Sequence, residues 1–413
     1  MREMKDSGIE LIESIPNEWK IIKTGYLFRE NVRPSTNEDT PLSLSQVDGL
    51  IATDDMKENS LKTASYEGWK RVKIDDLVLN RFKAHLGVLF AATLSGKVSF
   101  HYGVYEKIND LVPKYFEYLY HTNPYRSILG AMSNGMTVGL QNLSNQNFYS
   151  VKSIFPPISE QAVIVDFLDE QCSEIDSLIS DIQSQIETLE EYKRFVITEA
   201  VTKGLDPDVE MRDSGVQWIG EIPTHWTLIR IGSLYGLRTQ KVSDIDYPPL
   251  SVTKMGVLPQ LDTVAKTNAH DDRKLVVKGD FVINSRSDRR GSCGISDYNG
   301  SVSLINTVLY PITEMNPRYY NWYFHTVGFA DEFYRWGHGI VDDLWTTGWQ
   351  DMKNILISVP PLDEQQQIAD YLDSKCAEID SIIAEKKHQI ETIEEYKKSL
   401  IFEYVTGKKE VQV

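Results

Sequence analysis

Two short polar segments of this 413-residue chain carry side chains suited to gripping the edge of a nucleobase. One runs Asn80-Arg81-Phe82-Lys83-Ala84-His85-Leu86-Gly87, behind the β-type run Leu77-Val78-Leu79. The other runs Asn284-Ser285-Arg286-Ser287-Asp288-Arg289-Arg290-Gly291, behind Phe281-Val282-Ile283. Arginine makes a two-pronged pair with guanine in the major groove, and asparagine does so with adenine. Lysines and backbone amides hold phosphates and set the register. The candidate DNA contacts are therefore Asn80, Arg81, Lys83 and His85 in one segment, and Asn284, Ser285, Arg286, Arg289 and Arg290 in the other. The same composition also describes a solvated surface loop, and Asn80 and Asn284 equally suit the cap of a turn.

A second pair of segments has glycines beside polar and aromatic side chains. Ser133-Asn134-Gly135-Met136-Thr137 continues to Gln141-Asn142, and Gly337-His338-Gly339-Ile340 continues to Trp345-Thr346-Thr347. Asn134, Thr137, Gln141 and His338 are the candidate base contacts here. A turn over an aromatic core would use the same residues. The aromatic run Tyr115, Phe116, Tyr118, Tyr120, with its counterpart Tyr319, Tyr320, Trp322, Phe324, follows Pro113 or Pro317. It reads as the buried face of a helix and not as a stacking platform.

Catalytic and cofactor motifs are missing. There is no GxxxxGK phosphate cradle and no GxGxxG behind a strand. Asn316-Pro317-Arg318-Tyr319 lacks the second proline of the adenine-methyltransferase motif. Histidines and carboxylates do not fall at metal-ligand spacing, and Cys172, Cys293 and Cys376 form no CxxC pair. These absences predict a non-catalytic chain that binds no cofactor or metal.

The paired segments belong to a larger repeat. Residues 4–28 (MKDSGIELIESIPNEWKIIKTGYLF) align without a gap to 211–235 (MRDSGVQWIGEIPTHWTLIRIGSLY), an offset of 207. Further on the offset becomes 204, matching Asp76 and Asn80 to Asp280 and Asn284. The match is densest at the end, where PPISEQ, DFLDEQCSEIDSLI and QIETLEEYK recur as PPLDEQ, DYLDSKCAEIDSII and QIETIEEYK. One unit of roughly 205 residues is written twice.

Each unit begins with short β-type runs and ends, after its double proline, in a stretch free of proline and interior glycine. Leu168, Ile175, Ile182 and Leu189 fall every seven residues, with Cys172, Ile179 and Ile186 in the second seam position. The second copy supplies Leu372, Ile379 and Ile393 with Cys376, Ile383 and Ile390. This is an a/d heptad pattern, interrupted by Lys193, Lys386 and Lys397. A helix of about 40 residues spans about 60 Å, too long to bury its stripe against its own unit. Its natural partner is the other copy, antiparallel, since a short link joins two equivalent units. A homodimeric coiled coil is the alternative. Antiparallel pairing would keep Cys172 and Cys376 roughly 25–30 Å apart.

The net charge of −17 argues at first against nucleic acid. Residues 156–203 and 360–407 carry most of it, with 11 acids each against 3 and 5 bases. The rest of the chain is near neutral. No apolar stretch approaches the ~20 residues that cross a bilayer, and the N-terminus lacks the apolar core of a secretion signal. The expected location is the cytoplasm.

The openings MKDSGIELIESIPNEW and MRDSGVQWIGEIPTHW, the PPxxEQ entries, and the LEEYK…VT and IEEYK…VTGK exits resemble the specificity subunits of type I restriction-modification systems. The resemblance covers nearly the whole chain. It implies an α+β fold: two pseudo-symmetric mixed α/β target recognition domains separated by two long antiparallel helices forming a coiled coil. The corresponding blocks are 1–155, 156–206, 207–359 and 360–413. It implies recognition of a bipartite, asymmetric double-stranded DNA target, one half-site per domain. The implied partners are two modification subunits, which methylate adenine with S-adenosylmethionine, and restriction subunits that use ATP and Mg. The acidic helices suit subunit docking, since their charge repels phosphate. Recognition domains vary by design, so the base contacts named above come from local chemistry and not from the resemblance. A stand-alone DNA-binding regulator and a coiled-coil scaffold without a nucleic-acid role are the competing readings.

Overall fold

The structure is a computed structural model that describes residues 2–46, 48–56, 67–135, 141–260, 271–286, 289–339 and 345–411. Contacts divide the chain into two units. One joins Met1–Ile182 to His388–Val413, and the other is Gln183–Lys387.

At the centre of the first unit is a four-stranded antiparallel sheet in the order Phe28–Glu30, Tyr102–Lys107, Leu77–Asn80, Leu89–Ala91. The run LVL is apolar throughout because both faces of this sheet are covered. Side chains alternate along a strand, so Leu77 and Leu79 enter one apolar cluster with Tyr105, Tyr115 and Phe116. Val78 enters another with Leu42, Val72, Phe90 and Val104. The second unit repeats the sheet with Tyr235–Leu237, Asn306–Pro311, Phe281–Asn284 and Cys293–Ile295. There Phe281 and Ile283 face Tyr319 and Phe324, while Val282 joins Leu250, Val276 and Val308 on the opposite face. The aromatic helices Pro113–His121 and Pro317–Phe324 thus supply core, with Trp322 half-buried and its indole donating to Asp373 at 2.8 Å.

The motifs that mark the repeat are joints. In the opening, Asp6 accepts the backbone N–H of Gly8, and Asp213 that of Gly215, at left-handed turns (φ 64° and 70°) that only glycine adopts without strain. The indole of Trp19 donates to Glu160 at 3.1 Å and that of Trp226 to Glu364 at 2.9 Å, tying each opening to its PPxxEQ entry. Gln161 and Gln365, the last residues of that motif, donate to the carbonyls of Pro156 and Pro360. They also accept the N–H of Val112 and Asn316, just ahead of the aromatic helices.

The long helices are Ile158–Lys203 and Leu362–Val405, and each unit contains part of both. In each unit the two segments run antiparallel. In the first, Phe167 packs on Tyr404 with ring centroids 4.5 Å apart, and Lys397 pairs with Asp176 at 2.6 Å. In the second, Lys193 pairs with Asp380 at 2.7 Å and Lys386 donates to Gln185 at 2.6 Å. The three lysines that interrupt the heptads therefore reach across to the facing helix. Exposed pairs of this kind add little stability, but they select one register. Along the stripe Leu168, Ile182, Ile186, Leu372, Ile379 and Ile383 are buried, and Ile175, Ile179, Leu189, Ile390 and Ile393 are half-buried. Cys172 lies in the first unit's core and Cys293 and Cys376 in the second's; all three are buried free thiols.

Candidate nucleic-acid interface

In each unit the central strand runs out into the first candidate loop, which ends on a left-handed glycine, Gly87 (φ 74°) or Gly291 (φ 77°). Asn80 accepts the N–H groups of Phe82 and Lys83 at 3.1 and 3.3 Å, and Asn284 accepts that of Arg286 at 3.0 Å. Both asparagines therefore cap the turn, the second of the two roles open to them in the sequence. Asn284 is buried besides.

The second candidate loop lies alongside the first. Leu143 N–H donates to the Arg81 carbonyl at 3.0 Å, and Thr347 N–H donates to the Ser285 carbonyl at 3.0 Å. Asn134 and Asn142 exchange backbone hydrogen bonds at the base of that loop, as His338 and Thr346 do in the second unit. Every one of these pairs repeats at the offset of 204. Both units thus bring together two loops that the sequence showed only as separate stretches.

The side chains on these matched frames differ. In the first unit Arg81 does not point to solvent, contrary to its expected role as a base reader. Its guanidinium lies between Glu30 at 2.7 Å and Asn145 at 2.8 Å, and its Nε is buried without a protein partner. Lys70 also reaches Glu30 at 2.8 Å, and Asn145 donates a further bond to the same carboxylate. Burial alone would raise the Glu30 pKa, but Lys70, Asn145 and Arg81 outweigh it and hold the carboxyl below its ordinary value. Arg81 is committed to this cluster, because removing it would strand a buried carboxylate. Lys83 and Asn134 are exposed, Gln141 is half-buried, and the half-buried His85 ring has a buried Nδ1 without a protein partner. Thr137 lies outside the described residues.

The second unit presents its cations outward. Arg286, Arg289 and Arg290 are exposed. Arg290 pairs with Asp331 at 2.7 Å and lies over the Tyr334 ring at 4.5 Å. His338 is exposed with its Nε2 3.3 Å from Asp351, and the Ser285 hydroxyl donates to the Ile305 carbonyl. Glu30, Lys70 and Asn145 are the participants that sequence reasoning missed. They lie 51, 11 and 64 positions from Arg81, and nothing local marks them as its partners. Among the described residues no group of three or more His, Cys, Asp or Glu side chains could hold a metal ion, and no helix is long and apolar enough to cross a membrane.

A sequence profile described as the type I restriction modification DNA specificity domain matches residues 17–188 and again 225–392, most of the chain. The chain belongs to the type I restriction-modification DNA specificity family. Similar relatives include two proteins of Methanocaldococcus jannaschii. The one named for the type I restriction enzyme MjaX specificity subunit is 24% identical, over 96% of this chain and 95% of its own length. The MjaVIII specificity subunit is 25% identical over 68% of this chain and 67% of its own. Among solved structures, a chain from a study of the assembly and conformational transition of the type I R-M system superimposes with a TM-score of 0.71 at 14% identity, covering 96% of this chain and 99% of that one. The HsdS subunit of Thermoanaerobacter tengcongensis gives 0.53 at 15% identity, covering 96% and 98%. These likenesses establish the two-domain fold with its long helices. The role of this family member is that of a specificity subunit, with two DNA recognition domains.

Proposed function

We propose that this specificity subunit reads an asymmetric, two-part double-stranded DNA target, with one half-site under the paired loops of each unit. The carrying observation is the repeated two-loop frame with dissimilar side chains. Equivalent placement with different chemistry is what two unlike half-sites require. On this reading Lys83 and Asn134 serve the first half-site, and Arg286, Arg289, Arg290 and His338 serve the second. Arg81 holds the first loop in place from beneath and touches no base.

The chain supplies no chemistry of its own. Two modification subunits bring S-adenosylmethionine and methylate adenine, and restriction subunits bring ATP and Mg, in the cytoplasm. The acidic long helices dock these partners, because a carboxylate-rich face near phosphates would weaken DNA binding.

Replacing residues 30–150 with the matching domain of another family member, in the assembled methyltransferase, tests this reading. Methylome sequencing should show one half of the methylated motif changed and the other kept. A change in both halves would show that reading is shared across the units. Tight sequence-specific binding by the chain alone would mark a self-sufficient regulator.

A further inference from the structure

Beneath the paired loops of the second unit is a small cavity. Its volume is about 10 Å³, room for one water- or methyl-sized group. Phe324, Phe329 and Phe333 form an apolar floor, and Arg286 and Arg290 stand among its lining residues. On one wall Trp345 packs at a tilt on Tyr334 with centroids 5.7 Å apart, and its indole donates to the Tyr334 carbonyl at 2.9 Å.

One of the exchanges between the units bears directly on this space. Ala330 lines it, and at the offset of 204 the first unit has Arg126. A Cβ placed on Gly87 would lie 2.7 Å from the Arg126 Nε, whereas one placed on Gly291 would meet nothing within 4 Å. The arginine fills in the first unit the space that the alanine leaves open in the second.

We propose that this cavity receives the 5-methyl group of a thymine in the second half-site, and that Ala330 determines that specificity. A niche of one-methyl size over a phenylalanine floor does not suit a polar base edge, which would lose its hydrogen bonds against that floor. In the major groove the thymine methyl is the one apolar group that a base pair offers. The arginines at the cavity bring the negatively charged duplex to it. The inference rests on the reading of this chain as a DNA specificity subunit with the paired loops facing the target.

The test uses the assembled methyltransferase and a duplex carrying the motif found by methylome sequencing. Each thymine of the second half-site is replaced singly by deoxyuridine, which removes only the methyl group. One replacement should weaken binding about three- to fivefold, the worth of burying one methyl. Replacing the same thymine by 5-methylcytosine, paired with guanine, restores the methyl group on a different pyrimidine and tests whether the pyrimidine as well as its methyl is read. Full recovery of binding would overturn the thymine assignment. Ala330→Leu, which fills the cavity without adding charge, and Ala330→Arg should both bind thymine and deoxyuridine duplexes alike. Unchanged co-purification with the modification subunits would show that these variants still assemble. If no thymine is sensitive to methyl loss, or if Ala330→Leu keeps the wild-type preference, the inference is wrong although the specificity role stands. If no bipartite motif is methylated at all, the parent reading fails first.

Discussion

In the first unit the paired loops rest on buried charge: Glu30 beneath Lys70, Arg81 and Asn145. In the second, the strand register puts Leu237 where Glu30 stands and Leu309 where Tyr105 stands. The repeat offset puts Ser285 at Arg81 and Trp349 at Asn145. Only the lysine is kept. Lys70 donates to the Tyr102 carbonyl at 2.8 Å and Lys274 to the Asn306 carbonyl at 2.6 Å, the same bond in both units. With no carboxylate paired to it among the described residues, burial pushes the Lys274 ammonium below its ordinary pKa. One backbone frame thus accepts either an ionic or an apolar support. The members of each set must change together, because a buried charge without its partner costs more than the pair contributes.

The largest expected effect follows from that coupling. Glu30→Leu alone leaves Lys70 and Arg81 facing an apolar side chain and should cost about 3–5 kcal/mol in urea unfolding. Adding Arg81→Ser and Asn145→Trp, which brings in three of the second unit's four residues, should recover most of the loss. A triple variant no better than the single one would show that the two supports are not interchangeable. Trp19→Phe and Trp226→Phe probe the joint that the units share. Each removes an indole bond to a carboxylate, Glu160 or Glu364, and should cost about 1.5–3 kcal/mol. Clearly unequal losses would mean that the two joints are not equivalent.

Acid should act on the first unit through His121, whose Nε2 lies 2.8 Å from the Leu89 carbonyl and whose ring packs on Phe90. Burial pushes this imidazole down to about 4. The folded form therefore resists a proton that the unfolded chain accepts below its ordinary value of about 6.5. The stability is complete above that pH and is lost as pH falls from there toward 4. The loss, on the order of 1–2 kcal/mol by pH 5, should disappear from the melting profile in His121→Gln. The smallest effect is expected at Arg290. Its pair with Asp331 is open to solvent, so Arg290→Ala should change stability by less than about 1 kcal/mol while weakening DNA binding in the assembled complex.

The sequence displayed the parts whose signals are periodic or duplicated. The heptad positions of Leu168 and Leu372 and the aromatic spacing of Tyr115 and Tyr319 are local patterns that predict burial. The twin openings and PPxxEQ entries revealed the repeat, although not that Trp19 and Glu160 meet across 141 positions. Arg81 illustrates what stayed hidden. Its neighbours along the chain look like a solvent-facing polar loop, and its fate is set by a glutamate on another strand. Ala330 was hidden for a different reason, since its meaning lies in the side chain it lacks relative to Arg126.

The division of the long helices has a consequence for biosynthesis. The second unit is one uninterrupted stretch, Gln183–Lys387, whereas the first needs His388–Val413 to be complete. The Tyr115 hydroxyl, for instance, donates to the Val405 carbonyl, 290 positions along the chain. At about 5–20 residues per second, a ribosome takes on the order of 10–40 s to make the intervening unit. During that interval the first-made half of the protein has no Leu400 or Val405 to close its core. For as long as the last helix is still unmade, the apolar face around Tyr115 and Leu168 lacks the part of its core that Leu400 and Val405 supply.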